Sequence, residues 1–239
     1  LIEGYEFPPM LMMPYNPPYY PDLAASKGYK KDQDAFAYRV DHSVPLSDKM
    51  KRVSAFILED SDVEIRPINI KNLKEEARMI REIYNDAWRD NWGFVPWTLE
   101  EIDHLAEALK LICIPDLVLL CFLKGEPIGF SIALPNLNQI FAKMNGRLLP
   151  FGFLQLLGMK KKVSQIRVAV LGIKRKYQGL GLDAPLYVET YQRGFELGIQ
   201  EGEFSWILEN NMHIRNILDS WGAERYKTYR IMGKALHQG

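Results

Sequence analysis

The segment Gln178-Gly179-Leu180-Gly181-Leu182 holds residue types that can do chemistry. Two glycines one residue apart let a backbone turn through conformations that side chains disfavour. Before the turn, Gln165 to Ile173 is rich in β-branched and apolar residues and reads as a buried strand. After it, Leu186, Tyr187 and Tyr191 fall at helical spacing from Ala184 onward, with Pro185 in a first turn that tolerates it. Strand, glycine turn and helix aim free backbone N–H groups and the positive end of the helix into one small space, where a phosphate can sit. A Gly-x-Gly turn is as often only a tight connection. The surrounding elements decide between the two.

Other reactive side chains flank this turn. Glu203 to Asn210 reads as a strand, with Glu203, Ser205, Ile207 and Glu209 on one face and Phe204, Trp206 and Leu208 on the other. His213 sits one turn into the next helix, and histidine is a residue type suited to proton transfer near neutrality. A last strand carries Tyr226 and Tyr229. Upstream, Asn85 to Trp97 is dense in aromatic and amide groups, including Trp88, Asn91, Trp92 and Trp97. Such a loop shapes an apolar pocket or closes a core.

The elements that must position these groups begin at Val63. Val63 to Ile68 reads as a strand, and Asn72 to Trp88 as an amphipathic helix with Leu73, Ala77, Ile80, Ile83, Tyr84 and Ala87 on one stripe. Thr98, with Glu101 three residues on, opens a second helix as a capping box. Leu117 to Leu123 and Ile128 to Leu134 are strands joined by Lys124-Gly125-Glu126-Pro127. Residues 135–163 then form a long apolar insertion that ends in Lys160-Lys161-Lys162. It reads as helices over the sheet, as a cover for a long acyl chain, or as a surface that meets a membrane headgroup region. At the N-terminus, residues 1–21 hold too many prolines for helix or central strand. A short helix at Asp22 to Lys27 and a strand at Ala35 to Val40 follow, and residues 44–61 read as a polar linker with room for a short helix.

Composition narrows the class. Thirty basic and thirty acidic residues cancel, which gives no electrostatic footprint for nucleic acid. Cys113 and Cys121 lie in apolar surroundings and read as core thiols of a reducing compartment, hence a cytoplasmic protein, with a single disulfide as the alternative. No apolar run reaches the roughly 18–20 residues that span a bilayer. The chain begins at Leu1 in mid-pattern and reads as a fragment.

Gln178-Gly179-Leu180-Gly181-Leu182-Asp183 resembles motif A of the GNAT acyltransferases, Gln/Arg-x-x-Gly-x-Gly/Ala, which binds the pyrophosphate and pantetheine arm of acyl-CoA. Asp183 departs from that motif, where a small residue is expected. A carboxylate there repels a pyrophosphate unless it caps the helix or points away. The order of elements over residues 63–239 is also that of a GNAT domain. The resemblance implies an α/β (α+β) fold with a mixed, mostly antiparallel sheet whose fourth and fifth strands splay apart. Residues 1–43 loosely echo the end of such a domain, as Asn211 to Met232 do more closely, and so resemble the tail of a first copy in tandem bacterial relatives of the ceramide-synthase type.

Several roles follow from this resemblance. The donor would be acyl-CoA or the phosphopantetheine of acyl carrier protein, the acceptor a small or lipid-like amine, and no metal is required. Val170, Leu171, Gly172 and Ile173 would carry the pantetheine, with Gly172 marking the strand irregularity, while Gln178, Gly179, Leu180, Gly181 and Leu182 hold the phosphate. Glu209 is the first candidate base and Glu203 the second, with His213 as an alternative. The family's usual acid, a Tyr seven residues after the helix-capping Asn, corresponds to Leu218, which leaves Tyr226 or Tyr229 as substitutes. Trp88, Asn91 and Trp92 would shape the acceptor pocket. The competing reading is a non-catalytic module that binds a thioester or a protein.

Overall fold

The computed structural model describes residues 1–60, 62–144, 147, 149, 154 and 158–235. A proline-rich arm leads into helix α1 (Tyr20–Ser26), strand β1 (Lys30–Asp41) and helix α2 (Asp48–Asp60). Strand β2 (Val63–Pro67), helices α3 (Leu73–Ala87) and α4 (Leu99–Lys110), and strands β3 (Val118–Leu123) and β4 (Glu126–Pro135) come next. After a short helix α5 (Asn138–Phe141) the chain continues through β5 (Gln165–Ile173), α6 (Ala184–Glu196), β6 (Glu201–Leu208), α7 (Met212–Trp221) and β7 (Glu224–Gly233). The expected fourth and fifth strands are thus β5 and β6.

Local chemistry explains several boundaries. Thr98 Oγ1 accepts from the Glu101 amide (3.1 Å) and Glu101 Oε2 from the Thr98 amide (2.9 Å), so the capping box forms as written. Asn211 caps α7 through its side chain, and Gly222, at φ +89°, closes that helix in the left-handed region.

The seven strands form one sheet in the order β2-β3-β4-β5-β6-β1-β7. Every neighbouring pair is antiparallel except β5 and β6. Ile80 and Ile83 of α3 pack with Val118, Leu120 and Phe130, whereas Leu186 of α6 packs with Leu119, Cys121 and Ile128. Because alternate strand residues point to opposite faces, α3 and α6 cover opposite sides of the sheet. Cys113 and Cys121 are free, buried thiols, and burial pushes Cys121 up to about 12.

Two N-terminal segments take places their composition did not announce. Residues 30–41 are a full strand between β6 and β7. Ala35 and Ala37 face the arm residues Leu1, Met10 and Met13, while Phe36, Tyr38 and Val40 join the main core. The segment 44–61, read as a linker with room for a short helix, does contain α2, and what the composition did not announce is its packing against α6. Much of the apolar insertion lies outside the described residues. Within the described part, Ile140 is buried and Lys160 Nζ donates to Cys113 O (2.6 Å).

Candidate active site

β5 and β6 run side by side only from Gln165↔Glu201 to Val168↔Phe204. Immediately beyond that pair β5 carries a bulge. Ile132 of β4 opposes Val170 and Ala133 opposes Val168, which leaves Ala169 as the extra residue. The irregularity expected at Gly172 is therefore at Ala169. Gly172 serves a different purpose: a Cβ there would lie 2.1 Å from the Trp88 ring, so glycine permits Trp88 to press against the strand. Past the bulge the two strands diverge around a cleft of about 370 Å³. Leu171, Gly172 and Ile173 wall it on one side, with Leu208, Asn210 and Asn211 opposite.

The glycine turn closes one end of this cleft. Gly179 and Gly181 adopt φ of +75° and +77°, the region that glycine enters at no steric cost. Among the described residues, the amides of Gly179, Leu180, Gly181, Leu182 and Asp183 donate to no protein acceptor. Five consecutive free N–H groups before a helix make an anion-binding concavity. Gln178 braces the turn instead of lining it with a charge: its Nε2 donates to Ile173 O (3.0 Å). Asp183 makes no side-chain cap, and its Oδ2 lies 3.4 Å from His213 Nε2 on α7. The basic residues just before the turn are already paired, Lys174 with Glu82 (2.6 Å) and Arg175 with Asp90 (2.5 Å). They pin the turn to the end of α3. A second cavity of about 330 Å³, lined by Lys49, Met50 and Val53, shares Gly179, Asp183 and His213 with the first.

The candidate acid–base residues separate into two groups. Glu203 is fully buried on the α3 side, beside the last β5–β6 pair. Its Oε1 accepts from Ser205 Oγ (2.6 Å), its Oε2 accepts from Tyr226 Oη, and Arg167 Nε lies 3.8 Å away. Burial, then the Glu203 charge, raises the Tyr226 phenol well above its ordinary range, and Tyr229 rises for the same two reasons. Neither carboxylate nor Tyr226 lines the cleft, and Glu209 is placed elsewhere. It pairs with Lys31 Nζ (2.6 Å) and accepts from the Asp34 amide (3.1 Å), and the Lys31 hydrogen bond holds its carboxyl below the usual range. A simple alternation had put Glu203, Ser205, Ile207 and Glu209 on one face. Two residues of β6, Ser205 and Trp206, instead oppose the single Ala37 of β1, so Ile207 turns into the core with Phe204.

Trp88, Asn91 and Trp92, expected at the acceptor pocket, all line the cleft. Trp88 stacks on Tyr84 (centroids 5.1 Å apart) and Tyr84 on Trp97 (3.8 Å), which holds the loop against α3. Tyr187 was read only as a helix-spacing residue, yet it lines both cavities. Among the described residues, no cluster of His, Cys, Asp and Glu is arranged to hold a metal ion, and no helix is long and apolar enough to cross a membrane.

No family model matches the chain. It is 36% identical over 243 residues to the bacterial ceramide synthase of Caulobacter vibrioides (strain NA1000 / CB15N), covering 99% of this chain and 63% of that protein. Protein YghO of Escherichia coli (strain K12) is 35% identical, with 99% of this chain and 62% of the relative covered. The chain thus spans somewhat under two thirds of the length of these relatives. A GCN5-related N-acetyltransferase from Sphaerobacter thermophilus superposes with a TM-score of 0.60 at 14% identity, over 88% of this chain and 54% of that one. This chain has the GNAT fold. The tandem GNAT protein from the clavulanic acid biosynthesis pathway superposes at 0.51 with 12% identity, over 93% of this chain and 60% of that one. In the GNAT fold seen here, the partial β5–β6 pairing and the glycine turn have the relation that the resemblance of motif A implied.

Proposed function

We propose that this chain performs N-acyl transfer from an acyl-pantetheine thioester, carried by CoA or acyl carrier protein, to an amine. The observation that carries the reading is the cleft between β5 and β6, with a bulge at its vertex and, at its far end, the glycine turn whose residues Gly179 and Asp183 line it with amides that donate to no described acceptor. In this reading the amides of the turn take the donor phosphate. From Ala169 to Ile173, β5 lacks a β6 partner, and its free edge takes the pantetheine amides as an added strand. A backbone N–H beside the bulge polarises the thioester carbonyl. The amine enters from the Trp88, Asn91 and Trp92 side, and Glu203, linked to Tyr226, receives its proton. His213 partly offsets the Asp183 charge at the phosphate turn when protonated.

The apolar insertion supports a long acyl chain or a lipid-like acceptor, as does similarity to a relative named bacterial ceramide synthase. The test is incubation with a mixture of acyl-CoA and acyl carrier protein donors and an amine panel that includes long-chain amino alcohols, followed by mass spectrometry. Acylated amine and a donor-dependent rise in melting temperature are expected. Neither product nor thermal shift with any donor would overturn the reading. Leu218, fully buried where the resemblance places an acidic phenol, favours the non-catalytic module. A thermal shift without product, across the whole amine panel, would support that second reading.

A further inference from the structure

A thioester cannot release its thiol without a proton. The cleft-lining tyrosines are Tyr177 and Tyr187. Tyr177 Oη already donates to Glu126 (2.9 Å). Tyr226 is occupied with Glu203, and Leu218 has no proton to give. Tyr187 is different. Its ring is 2% exposed, yet among the described residues its hydroxyl has no hydrogen-bond partner. The hydroxyl is not sealed away from the cavities that Tyr187 lines, which leaves it open to a ligand there.

Its place along the cleft selects which ligand atom it meets. Tyr187 stands one turn into α6 and packs on Phe204, with ring centroids 6.0 Å apart. Phe204 is the partner of Val168 in the last β5–β6 pair, so Tyr187 sits at the vertex of the divergence. A donor whose phosphate lies on the glycine turn and whose amides follow the strand from Ile173 to Ala169 travels about 13 Å of extended backbone. Its thioester then arrives at that vertex.

We propose that Tyr187 donates the proton taken by the leaving thiolate, a role that rests on the acyl-transfer reading. The amine nitrogen forms a C–N bond to the acyl carbon and gives its proton to the Glu203 pair. As the tetrahedral adduct collapses the C–S bond breaks, the sulfur keeps the electron pair and takes the Tyr187 proton, solvent re-protonates the phenolate, and the Glu203 pair returns the amine proton to solvent. The products are amide and thiol. Burial, with the Asp183 charge second, raises the Tyr187 phenol, so the hydroxyl is protonated at neutral pH and parts with its proton only in concert with C–S cleavage.

Tyr187→Phe tests this in two measurements. With acyl-CoA as donor, kcat should fall about 100-fold with KM little changed. By calorimetry the wild type should prefer CoA over desulfo-CoA, and the variant should bind the two alike, because only the sulfur contact is lost. Wild-type kcat in the variant, or an unchanged CoA to desulfo-CoA ratio, overturns the assignment. A wild type that yields no amide and binds neither compound sinks the acyl-transfer reading itself, and Tyr187's role with it.

Discussion

The two edges of β6 meet their neighbours in opposite ways. Toward β1 the strand is paired from Ala35↔Leu208 to Asp41↔Glu201, along its whole length. Toward β5 it is paired over four residues and then released. Charge follows the same division. On the closed side Asp34 takes both Nε and Nη2 of Arg230 at 2.8 Å, Lys31 reaches Asp34 and Glu209, and the Glu209 amide donates to Asp34 O. On the open side, among the described residues, the donors of the glycine turn are unclaimed and the Tyr187 hydroxyl has no partner. A sheet satisfied on one edge holds the other edge rigidly incomplete, and a ligand can finish it. The same strand thus carries two carboxylates in different settings: Glu209 in the charge cluster of the closed edge, and Glu203 buried beside the last β5–β6 pair.

Exchanging those two carboxylates for amides is the sharpest way to break the contrast. Glu203→Gln should lower the acyl-transfer rate by at least about 100-fold with donor affinity intact, since a base lost at the vertex removes a proton-transfer term. Glu209→Gln should leave the rate near wild type. Equal losses from both would erase the distinction. Gly181→Val comes next. Its Cβ would meet Val53 Cγ1 at 3.1 Å and its φ of +77° strains a β-branched residue, so the turn should refold. Losing two charge-assisted hydrogen bonds to phosphate weakens donor binding about 100-fold, and calorimetry with acyl-CoA reads it directly.

Asp34→Asn addresses the closed edge. It should cost about 1.5–3 kcal/mol of stability in a denaturant titration, the range for hydrogen bonds to charged groups, without moving donor affinity. A matching loss of donor affinity would show that the two edges are coupled. The smallest effect is in pH. Arg230 holds Asp34, and Lys31 holds Glu209, below their ordinary values. Because the folded state depresses both, their stabilisation is complete above the ordinary carboxylate pKa of about 4 and is lost as pH falls through the lower folded values. Melting temperature should therefore decline more gently in Asp34→Asn than in wild type as the solution is acidified below that point. Parallel declines would remove these pairs from the account.

Some of this molecule was legible residue by residue. The run Gln165 to Ile173 is β-branched between turn signals and is a strand with those bounds. Thr98 and Glu101 specify a capping box, and Gly179 and Gly181 specify a turn, because in each case the interaction is local. The aromatic density around Trp88 marked a wall of the cleft, since rings that crowd a loop have to cover something.

What the sequence determined alone was most of the elements, their order and the glycine turn before α6, because those depend on neighbours within a few positions. Tertiary structure decided the rest. Ala169 bulges only because β4 sets its register, and an alanine carries no signal for it. Residues 30–41 lie between β6 and β7 through pairing with partners far along the chain, and that insertion turns Glu209 toward Lys31 instead of the cleft. Tyr187 looked like one more apolar position on a helix until β5 and β6 parted beside it, for a side chain's chemistry is settled by what fails to bond with it.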